Sequence, residues 1–337
     1  MVPKNISALA ERIMILGQLA SILEVSGWPK PGNVHRTRDL PDVRYEHFLA
    51  GSVALGPSIR KAALKGMMVG LSRISKDRIG IGSLIKEAVL EIKSLHKGGN
   101  THLGTCFLNI PLASSAGKTI IEIEEFRPSE LSRNVLEINR STTALDTVRV
   151  YDAVKLVGSE RTLGKVRSKA APDLYEPDVE RKIKMKGVTL YEAMKVASRW
   201  DRIASEFVNG MEVTFKIGYP ALREVFEATG DINIATVHCF LHILSKVPDT
   251  LIARKVGLKE EENVQKAVEI GIERTRWISE EAEEILEKGG LRTEEGREAL
   301  IQLDRKLHES RGLLNPGTTA DLTASSLMVA LLCGLNY

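Results

Sequence analysis

The stretch EVSGWPKPGNVHR, residues 24–36, places side chains that could bind an anion directly after a helix-like segment. Each proline fixes its own backbone φ and pushes the preceding residue toward an extended conformation, so the turn should be stiff. Lysine and arginine side chains suit phosphate oxygens, lysine as a point charge and arginine as a planar fork. A plain helix-terminating turn with a solvated basic edge would explain the same pattern. The candidate substrate-binding residues are Ser26, Lys30, Gly32, Asn33, His35 and Arg36, and the candidate acid is Glu24.

A second candidate is GGNTHLG, residues 98–104, which joins two helix-like segments. Asn100 or Thr101 can cap the following helix. The free N–H groups and the positive dipole end of a helix N-terminus favour an anion. Asn100, Thr101 and His102 are therefore candidate binding residues, although ordinary helical hairpins are joined by similar turns.

The third candidate is LSKVPDTLIARK, residues 244–255. Asp249 can cap the helix that follows it, and this structural role alone would explain the residue. Its carboxylate could equally hold a metal ion or accept a proton. Arg254 and Lys255 follow within two helical turns and could contact a phosphate group.

The fourth candidate is NPGTTADLTAS, residues 315–325, a turn that opens the last helix. Asn315, Gly317 and Thr318 are candidate binding residues at this turn. Asp321 falls in the first turn of the helix, where the dipole favours an acid without any function. The residues after it are apolar all round, so we expect Asp321 at the mouth of a buried bundle, where a carboxylate needs a cation.

Two further patterns have simpler explanations. His238 and His242 lie on one helix face, but a zinc hydrolase would need glutamate where Cys239 stands, so a core pair is expected. The cysteines are few, odd in number and widely spaced, which predicts reduced thiols in a cytoplasmic protein.

The bulk composition is that of an ordinary soluble globular protein, with 43% hydrophobic and 27% charged residues. A net charge of +3 is too small to favour nucleic acid as a partner. No uncharged stretch reaches the length of a membrane span, so no membrane partner is predicted. A homodimer remains compatible with these features.

Most periodic segments are helical in pattern, which predicts an all-α, multi-helix bundle. The segment THLGTCFLNIPLASSAG is apolar nearly all round and should form a buried central helix, with the polar inter-helix turns forming one cavity. KTIIEIEEF is the best strand candidate and could equally be a helix edge. We predict a single helical domain over 1–337, in which 158–186 is either a mobile lid or an ordered excursion over the surface.

The four stretches, in this order, resemble the triphosphoribosyl-dephospho-coenzyme A synthase family, the ATP:dephospho-CoA triphosphoribosyl transferases. The family patterns are E-V-S-x-x-P-K-P-G, G-x-N-T-H-K-G, a late Asp-Thr element, and P-G-x-x-A-D-L before the last helix. The corresponding stretches here are EVSGWPKPG, GGNTHLG, PDTLIARKVG and NPGTTADL. The resemblance extends over residues 24–325 as separate islands.

The resemblance implies an all-helical enzyme that displaces adenine from the ribose of ATP. The 5′-triphosphoribosyl group would pass to the 2′-hydroxyl of dephospho-coenzyme A, with Mg²⁺ and cations balancing the triphosphate. An oxocarbenium-like state requires a nearby carboxylate, and the acceptor hydroxyl requires a general base. On this view Glu24 and Asp249 are catalytic, Asp249 and Asp321 bind the metal, and Glu24 lies nearest the chemistry.

This sequence departs from the family pattern in three places. Leu103 replaces the lysine after the histidine, LIARKVG replaces an asparagine-bearing run, and the segment 158–186 is unfamiliar. The acceptor could therefore differ. Alternative functions are a nucleotide N-glycosidase or phosphohydrolase, in which water replaces the acceptor, and a non-catalytic helical nucleotide-binding protein.

Overall fold

The computed structural model describes residues 5–166, 168 and 170–337, and nearly all of its regular structure is α-helical. These residues contain isolated backbone bridges but no β-strand, so the all-α prediction is confirmed. The helices are α1 (Ile6–Ser26), α2 (Tyr45–Ala54), α3 (Gly56–Gly70), α4 (Ile81–Leu95), α5 (Leu103–Ile123), α6 (Pro128–Arg140), α7 (Ala144–Val157), α8 (Glu160–Leu163), α9 (Val179–Lys186), α10 (Leu190–Ala197), α11 (Arg202–Asn209), α12 (Tyr219–Thr229), α13 (Ile232–Lys246), α14 (Thr250–Gly257), α15 (Val264–Glu287), α16 (Glu294–His308) and α17 (Gly317–Leu332).

Helix α5 forms the centre of the bundle, as its apolar composition predicts. All residues from 105 to 119 are buried, and α5 packs against α3, α4, α6 and α17. The candidate strand KTIIEIEEF belongs mostly to the last turns of α5, which ends at Ile123, so its alternative assignment as a helix edge is correct. A helix apolar on every face has no solvent-facing stripe and must lie inside the fold.

The crossing of α3 and α5 depends on two reciprocal glycines. A Cβ atom on Gly66 would lie 1.9 Å from the carbonyl oxygen of Ser114, and one on Gly117 would lie 2.1 Å from that of Ala63. Neither distance is compatible with a side chain, so the two backbones can meet this closely only because both residues lack one. This contact helps to fix the position of α5, whose N-terminus borders the candidate site.

Helix α1 is long and apolar enough to cross a membrane by length and composition alone. One such helix is weak evidence, because the core helix of a soluble protein passes the same test. Here α1 packs against α3 and α17, and Ile13 and Leu16 are buried in the main apolar core. Its last turn carries Glu24 into the candidate site.

The segment 158–186 contains α8 and α9, and Arg167 and Lys169 lie outside the described residues. Its later part packs firmly: Val179 and Ile183 of α9 join Val148 and Val188 in a separate apolar cluster. The later part of the segment therefore packs on the bundle, and both alternatives for 158–186, a mobile lid and an ordered excursion, stay predictions.

We expect Gly66→Ala to destabilise the protein strongly, because the new Cβ would collide with backbone rather than with a flexible side chain. Overpacking of this kind typically costs about 1–3 kcal/mol. Gly99→Ala is the matched control, since its Cβ would make only ordinary contacts, the nearest at 3.4 Å. Equal unfolding midpoints in denaturant for the two variants would contradict the close crossing.

Candidate active site

Three of the four predicted turns line a small chamber between the C-terminal end of α1 and the N-terminal ends of α5 and α17, and the third stretch reaches it only through Leu251 of α14. We call this cavity of about 70 Å³ the polar chamber. Eight of the residues singled out in the sequence line it: Glu24, Asn33, Asn100, Thr101, His102, Asn315, Gly317 and Asp321. The turns are far apart in sequence, so their meeting depends on the helix packing.

Glu24 forms a buried ion pair with Lys30 at the floor of the polar chamber. The Lys30 ammonium also donates to the Glu24 carbonyl oxygen at 2.9 Å, and it lies 5.8 Å from the centre of the Phe240 ring. Burial raises the pKa of Glu24 and lowers that of Lys30, while the attraction between them opposes both shifts. We expected Lys30 to be exposed on the turn and to bind phosphate. The structure corrects this expectation, because the Lys30 ammonium is buried and forms an ion pair with Glu24.

Asp321 lies half-buried in the first turn of α17 and faces the N-terminus of α5. Its Oδ1 accepts a hydrogen bond from the Thr105 hydroxyl at 2.6 Å. A Cβ on Gly104 would lie 2.0 Å from the Asp321 carboxylate, so the last glycine of GGNTHLG makes room for this acid. Burial raises the pKa of Asp321 to about 8, the Thr105 hydrogen bonds oppose this rise, and the negative charge of Glu24 adds to it. Burial therefore favours the protonated form of Asp321 when no cation is near.

The turn before α5 contributes neutral polar groups to the polar chamber. Asn100 accepts from the backbone N–H of Leu103 at 3.1 Å, which caps the first turn. The His102 ring contacts the hydroxyls of Thr101 at 2.9 Å and Ser52 at 3.1 Å. Burial lowers the pKa of His102 to about 3, with a further contribution from His96. His102 is thus a neutral hydrogen-bonding group and not a phosphate-binding cation.

Two amide side chains, those of Asn33 and Asn315, also line the polar chamber. Asn33 donates to the carbonyl oxygen of Pro316 at 3.2 Å, which ties the first turn to the last. The side-chain oxygen of Asn315 is buried and has no hydrogen-bond partner. An unpaired buried oxygen is costly, so it is a natural contact point for a ligand or a cation.

A larger cavity of about 260 Å³, which we call the apolar chamber, adjoins the polar one. The two chambers share Asn100, Leu103, Leu251 and Asp321 as lining residues. The predicted single cavity is therefore a pair of adjoining chambers that meet at Asp321. Arg254 and Thr318, both predicted as binding residues, line the apolar chamber.

Asp249 lies outside both chambers and acts as a buried cap. Its Oδ1 accepts from the backbone N–H groups of Leu251 and Ile252 at 2.9 and 3.0 Å. Its Oδ2 accepts from the backbone N–H and the hydroxyl of Thr319, both at 2.8 Å. These four hydrogen bonds occupy both oxygens. The expected roles of Asp249 in metal binding and catalysis do not fit this geometry, because the side chain joins α14 to α17 instead.

His35 and Gly32 contact Asp304 of α16 rather than the chambers. Asp304 Oδ1 accepts from the Gly32 N–H at 3.0 Å and contacts His308 Nδ1 at 3.0 Å, while Oδ2 lies 3.5 Å from His35 Nε2. Burial alone would raise the pKa of Asp304, but the histidine hydrogen bonds outweigh it and hold that pKa well below its usual range. Because Asp304 fixes the turn 30–36 to α16, the expectation that Gly32 and His35 contact substrate is not supported by their positions.

Ser26 and Arg36 also lie away from the chambers. Arg36 donates to the carbonyl oxygen of Ser26 at 2.7 Å and to the Asn233 side chain at 2.9 Å. The Ser26 hydroxyl is 2.8 Å from the Tyr45 hydroxyl. These contacts brace the outside of the turn, and the predicted binding roles of Ser26 and Arg36 are not supported by their positions.

Lys255 is turned toward backbone rather than toward either chamber. Its ammonium donates to the carbonyl oxygen of Gly312 at 2.8 Å, and burial lowers its pKa. Of the described residues that line the two chambers, Arg254 alone is a lysine or arginine. The described lining of the two chambers is therefore poor in fixed positive charge.

His238 and His242 both lie on α13, and the expectation that they are a core pair stays a prediction. Among the described residues, the only cluster of three or more histidine, cysteine, aspartate or glutamate side chains close enough to share a metal ion is His35, Asp304 and His308. Burial lowers the pKa of His238 to about 4, so it stays neutral. The cysteine prediction is compatible with the structure, since Cys106 and Cys239 are buried thiols.

Sequence reasoning missed several lining residues. Thr105 and Ser21 of the polar chamber lie inside helices and carry no motif signal. Tyr175 and Trp200 of the apolar chamber could have been noticed only as aromatic residues in and after the unfamiliar segment.

Comparison with known proteins is consistent with this geometry. Residues 10–337 match the family model described as CitG: ATP:dephospho-CoA triphosphoribosyl transferase. A curated relative, the 2-(5''-triphosphoribosyl)-3'-dephosphocoenzyme-A synthase of Klebsiella pneumoniae, is 24% identical over 320 residues, which cover 94% of this chain and 89% of that one. A crystal structure from Archaeoglobus fulgidus, provisionally assigned as a triphosphoribosyl-dephospho-coA synthase, superposes with a TM-score of 0.57 at 28% identity, covering 85% of this chain and 99% of that one.

An all-α fold in which two carboxylates, those of Glu24 and Asp321, line a polar chamber beside a larger apolar cavity is suited to a group-transfer enzyme. The family match, which extends over nearly the whole chain, makes the class definite. This chain belongs to the ATP:dephospho-CoA triphosphoribosyl transferase family.

We expect Asp321→Asn to gain stability over the wild type as pH rises. The raised pKa means that between about 4 and about 8 the folded protein keeps a proton that the unfolded chain has lost, so stability falls with rising pH through that window. Asparagine cannot ionise, so the variant does not lose stability as pH rises through this window. Thermal melts without divalent metal should show the variant several degrees higher at pH 8.5, but not at pH 4. Parallel melting curves for the two proteins across this range would contradict the raised pKa.

Proposed function

We propose that this chain transfers the 5′-triphosphoribosyl group of ATP to dephospho-coenzyme A and releases adenine, with the reaction centre where Asp321 separates the two chambers. The proposal rests on one observation: Glu24, Asp321 and the N-terminal ends of α5 and α17 all border the polar chamber. The family match supplies the reaction.

The reaction exchanges one bond at the ribose C1 for another. The bond from C1 to the adenine nitrogen breaks, and its electron pair leaves with adenine. The 2′-hydroxyl oxygen of the acceptor forms the new bond to C1, and its proton is lost. Adenine gains a proton, so the charges balance. As the bond to adenine breaks, positive charge develops on the ribose and is stabilised by a nearby carboxylate.

Glu24 is suited to face the developing charge and to accept the proton of the hydroxyl. Its carboxylate is held by Lys30 beneath the polar chamber, which favours the ionised form against the cost of burial. Since the pair is enclosed, its electrostatic effect is less screened than in water. Lys30 is thus a positioning residue in this mechanism rather than a phosphate ligand.

Mg²⁺ would fit the oxygen atoms that remain in the polar chamber. Magnesium is bound by one or two carboxylates together with substrate phosphates. Asp321 and the unpartnered side-chain oxygen of Asn315 offer such ligands, whereas the oxygens of Asp249 are occupied. The ion would balance part of the triphosphate charge, which the scarcity of lysine and arginine leaves uncompensated. Asp321 would lose its proton when the cation binds.

The acceptor is the least constrained part of the proposal. Leu103 lines both chambers where the family pattern carries a lysine, and Arg254 is the nearby cation. An acceptor with a different charge from dephospho-coenzyme A therefore remains an alternative for this site. A cytoplasmic location, a homodimer and the absence of membrane and nucleic-acid partners stay predictions.

The decisive assay combines the protein with ATP, Mg²⁺ and dephospho-coenzyme A. We expect free adenine and an acceptor heavier by one triphosphoribosyl group, detected by chromatography and mass spectrometry. Adenine released at the same rate without acceptor would favour the N-glycosidase alternative. ATP binding with no turnover would favour the non-catalytic one, and either result would overturn transfer.

Glu24→Gln should lower kcat by about 10²- to 10⁴-fold, the usual contribution of a positioned general base. Because this change leaves Lys30 buried without its partner, the double variant Glu24→Gln/Lys30→Met serves as the folding control. The double variant should melt close to the wild type and remain equally slow. Near-normal turnover in the single variant would refute the role of Glu24.

A further inference from the structure

The apolar chamber is enriched in aromatic side chains. Aromatic residues make up only 5% of the chain, yet Phe107, Tyr151, Tyr175 and Trp200 all line this cavity. They come from α5, α7, the segment 163–175 and the turn before α11. Phe107, Tyr151 and Trp200 also pack against apolar clusters of the fold, so these rings border the cavity from fixed positions and favour a flat apolar ligand group.

One wall of the chamber is a strap, formed by residues 163–166 and 170–175, that is anchored near both ends. Near its start, the Lys165 N–H donates to the carbonyl oxygen of Glu262 at 3.0 Å. Near its end, the Tyr151 hydroxyl donates to the carbonyl oxygen of Pro172 at 2.9 Å. Asp173 ties the strap to itself by accepting from the N–H groups of Val166 and Tyr175 at 2.7 and 2.8 Å. The strap is thus positioned by specific contacts, and the cavity behind it is a built feature of the fold.

Two polar groups of the chamber walls are buried without a partner. They are the hydroxyl of Tyr175 and the Nε of Arg254. Arg254 uses another nitrogen to contact Asp201 at 3.3 Å, which orients its side chain. Because Nε–H only donates and a tyrosine hydroxyl readily does so, the missing partner is an acceptor. Buried polar groups are normally satisfied, so the unpaired state points to a ligand that supplies acceptor atoms.

We propose that the apolar chamber binds the adenine ring of a nucleotide substrate, with Tyr175 and Arg254 donating to its ring nitrogens. This inference rests on the proposed function. Adenine presents a flat face for aromatic side chains and several unprotonated ring nitrogens as acceptors. Base–aromatic contacts are worth about 1–3 kcal/mol each.

The position of the chamber also favours a base over the flexible arm of dephospho-coenzyme A. Asp321 lines both chambers, so a group directly attached to a ribose beside Asp321 falls at the mouth of the apolar chamber. In both substrates that group is adenine, whereas the thiol-bearing arm begins beyond the diphosphate. The arm also carries amide groups that need both donors and acceptors, and the carboxylate of Asp173 is already occupied by the strap.

Equilibrium binding of free adenine tests the chamber without requiring turnover. Calorimetry should show adenine binding to the wild type and binding about fivefold weaker to Tyr175→Phe, the loss expected for one hydrogen bond of about 1 kcal/mol. Tyr191→Phe is the matched control, since its hydroxyl contacts Val208 away from the chamber and its removal should leave the affinity unchanged. The Tyr175 hydroxyl has no protein partner, so its removal should not lower the melting temperature.

Product inhibition identifies which substrate supplies the ring. Adenine that competes with ATP places the donor base in the chamber, and adenine that competes with dephospho-coenzyme A places the acceptor base there. Pantetheine should not displace adenine. No adenine binding, equal affinity in Tyr175→Phe and wild type, or displacement by pantetheine would overturn the proposal. Adenine binding that persists in a protein without transferase activity would contradict the proposed function and leave this site standing.

Discussion

The site depends on an imbalance of buried charge: two carboxylates, Glu24 and Asp321, share the neighbourhood of one fixed cation, Lys30. Removing charges from water is costly unless each is paired, so an enclosed site cannot easily hold both acids ionised. The Glu24–Lys30 pair is formed by direct contact, which leaves Asp321 to keep its proton. Such a site costs the least free energy while Asp321 is neutral, and a cation or a cationic transition state favours its ionised form.

Two other acidic residues, Asp249 and Asp304, make structural contacts that fix the elements around Glu24 and Asp321. Asp249 fastens α14 to the first turn of α17, which carries Asp321. Asp304 fastens Gly32 and the turn after Lys30 to α16. Gly104 leaves the space in which the Asp321 carboxylate approaches α5. Each contact fixes a helix end, so the distance between Glu24 and Asp321 is set by helix packing and not by a flexible loop.

The sequence was sufficient for the fold class, because helical periodicity is a local signal, and its turn motifs named eight residues that line the polar chamber. The sequence was not sufficient to predict the roles of the lysine and arginine side chains or of Asp249. A lysine after a proline turn has the same sequence signature whether it faces phosphate or, like Lys30, a buried glutamate, and Asp249 looks the same as a cap or as a ligand. The partners Asp304 and Thr105 lie far away in sequence, and only tertiary packing reveals them. The aromatic wall of the apolar chamber escaped notice for the same reason.

The most direct test of this account is the number of protons released when Mg²⁺ and ATP bind together. In weakly buffered solution at pH 7, the wild type should release about one proton per site beyond that released by Mg²⁺ and ATP alone, because Asp321 exchanges its proton for the cation. The Asp321→Asn variant should still bind ATP, but it should not release this extra proton. Equal proton release by the two proteins would show that Asp321 does not hold the proton, and the charge imbalance at the centre of the account would be wrong.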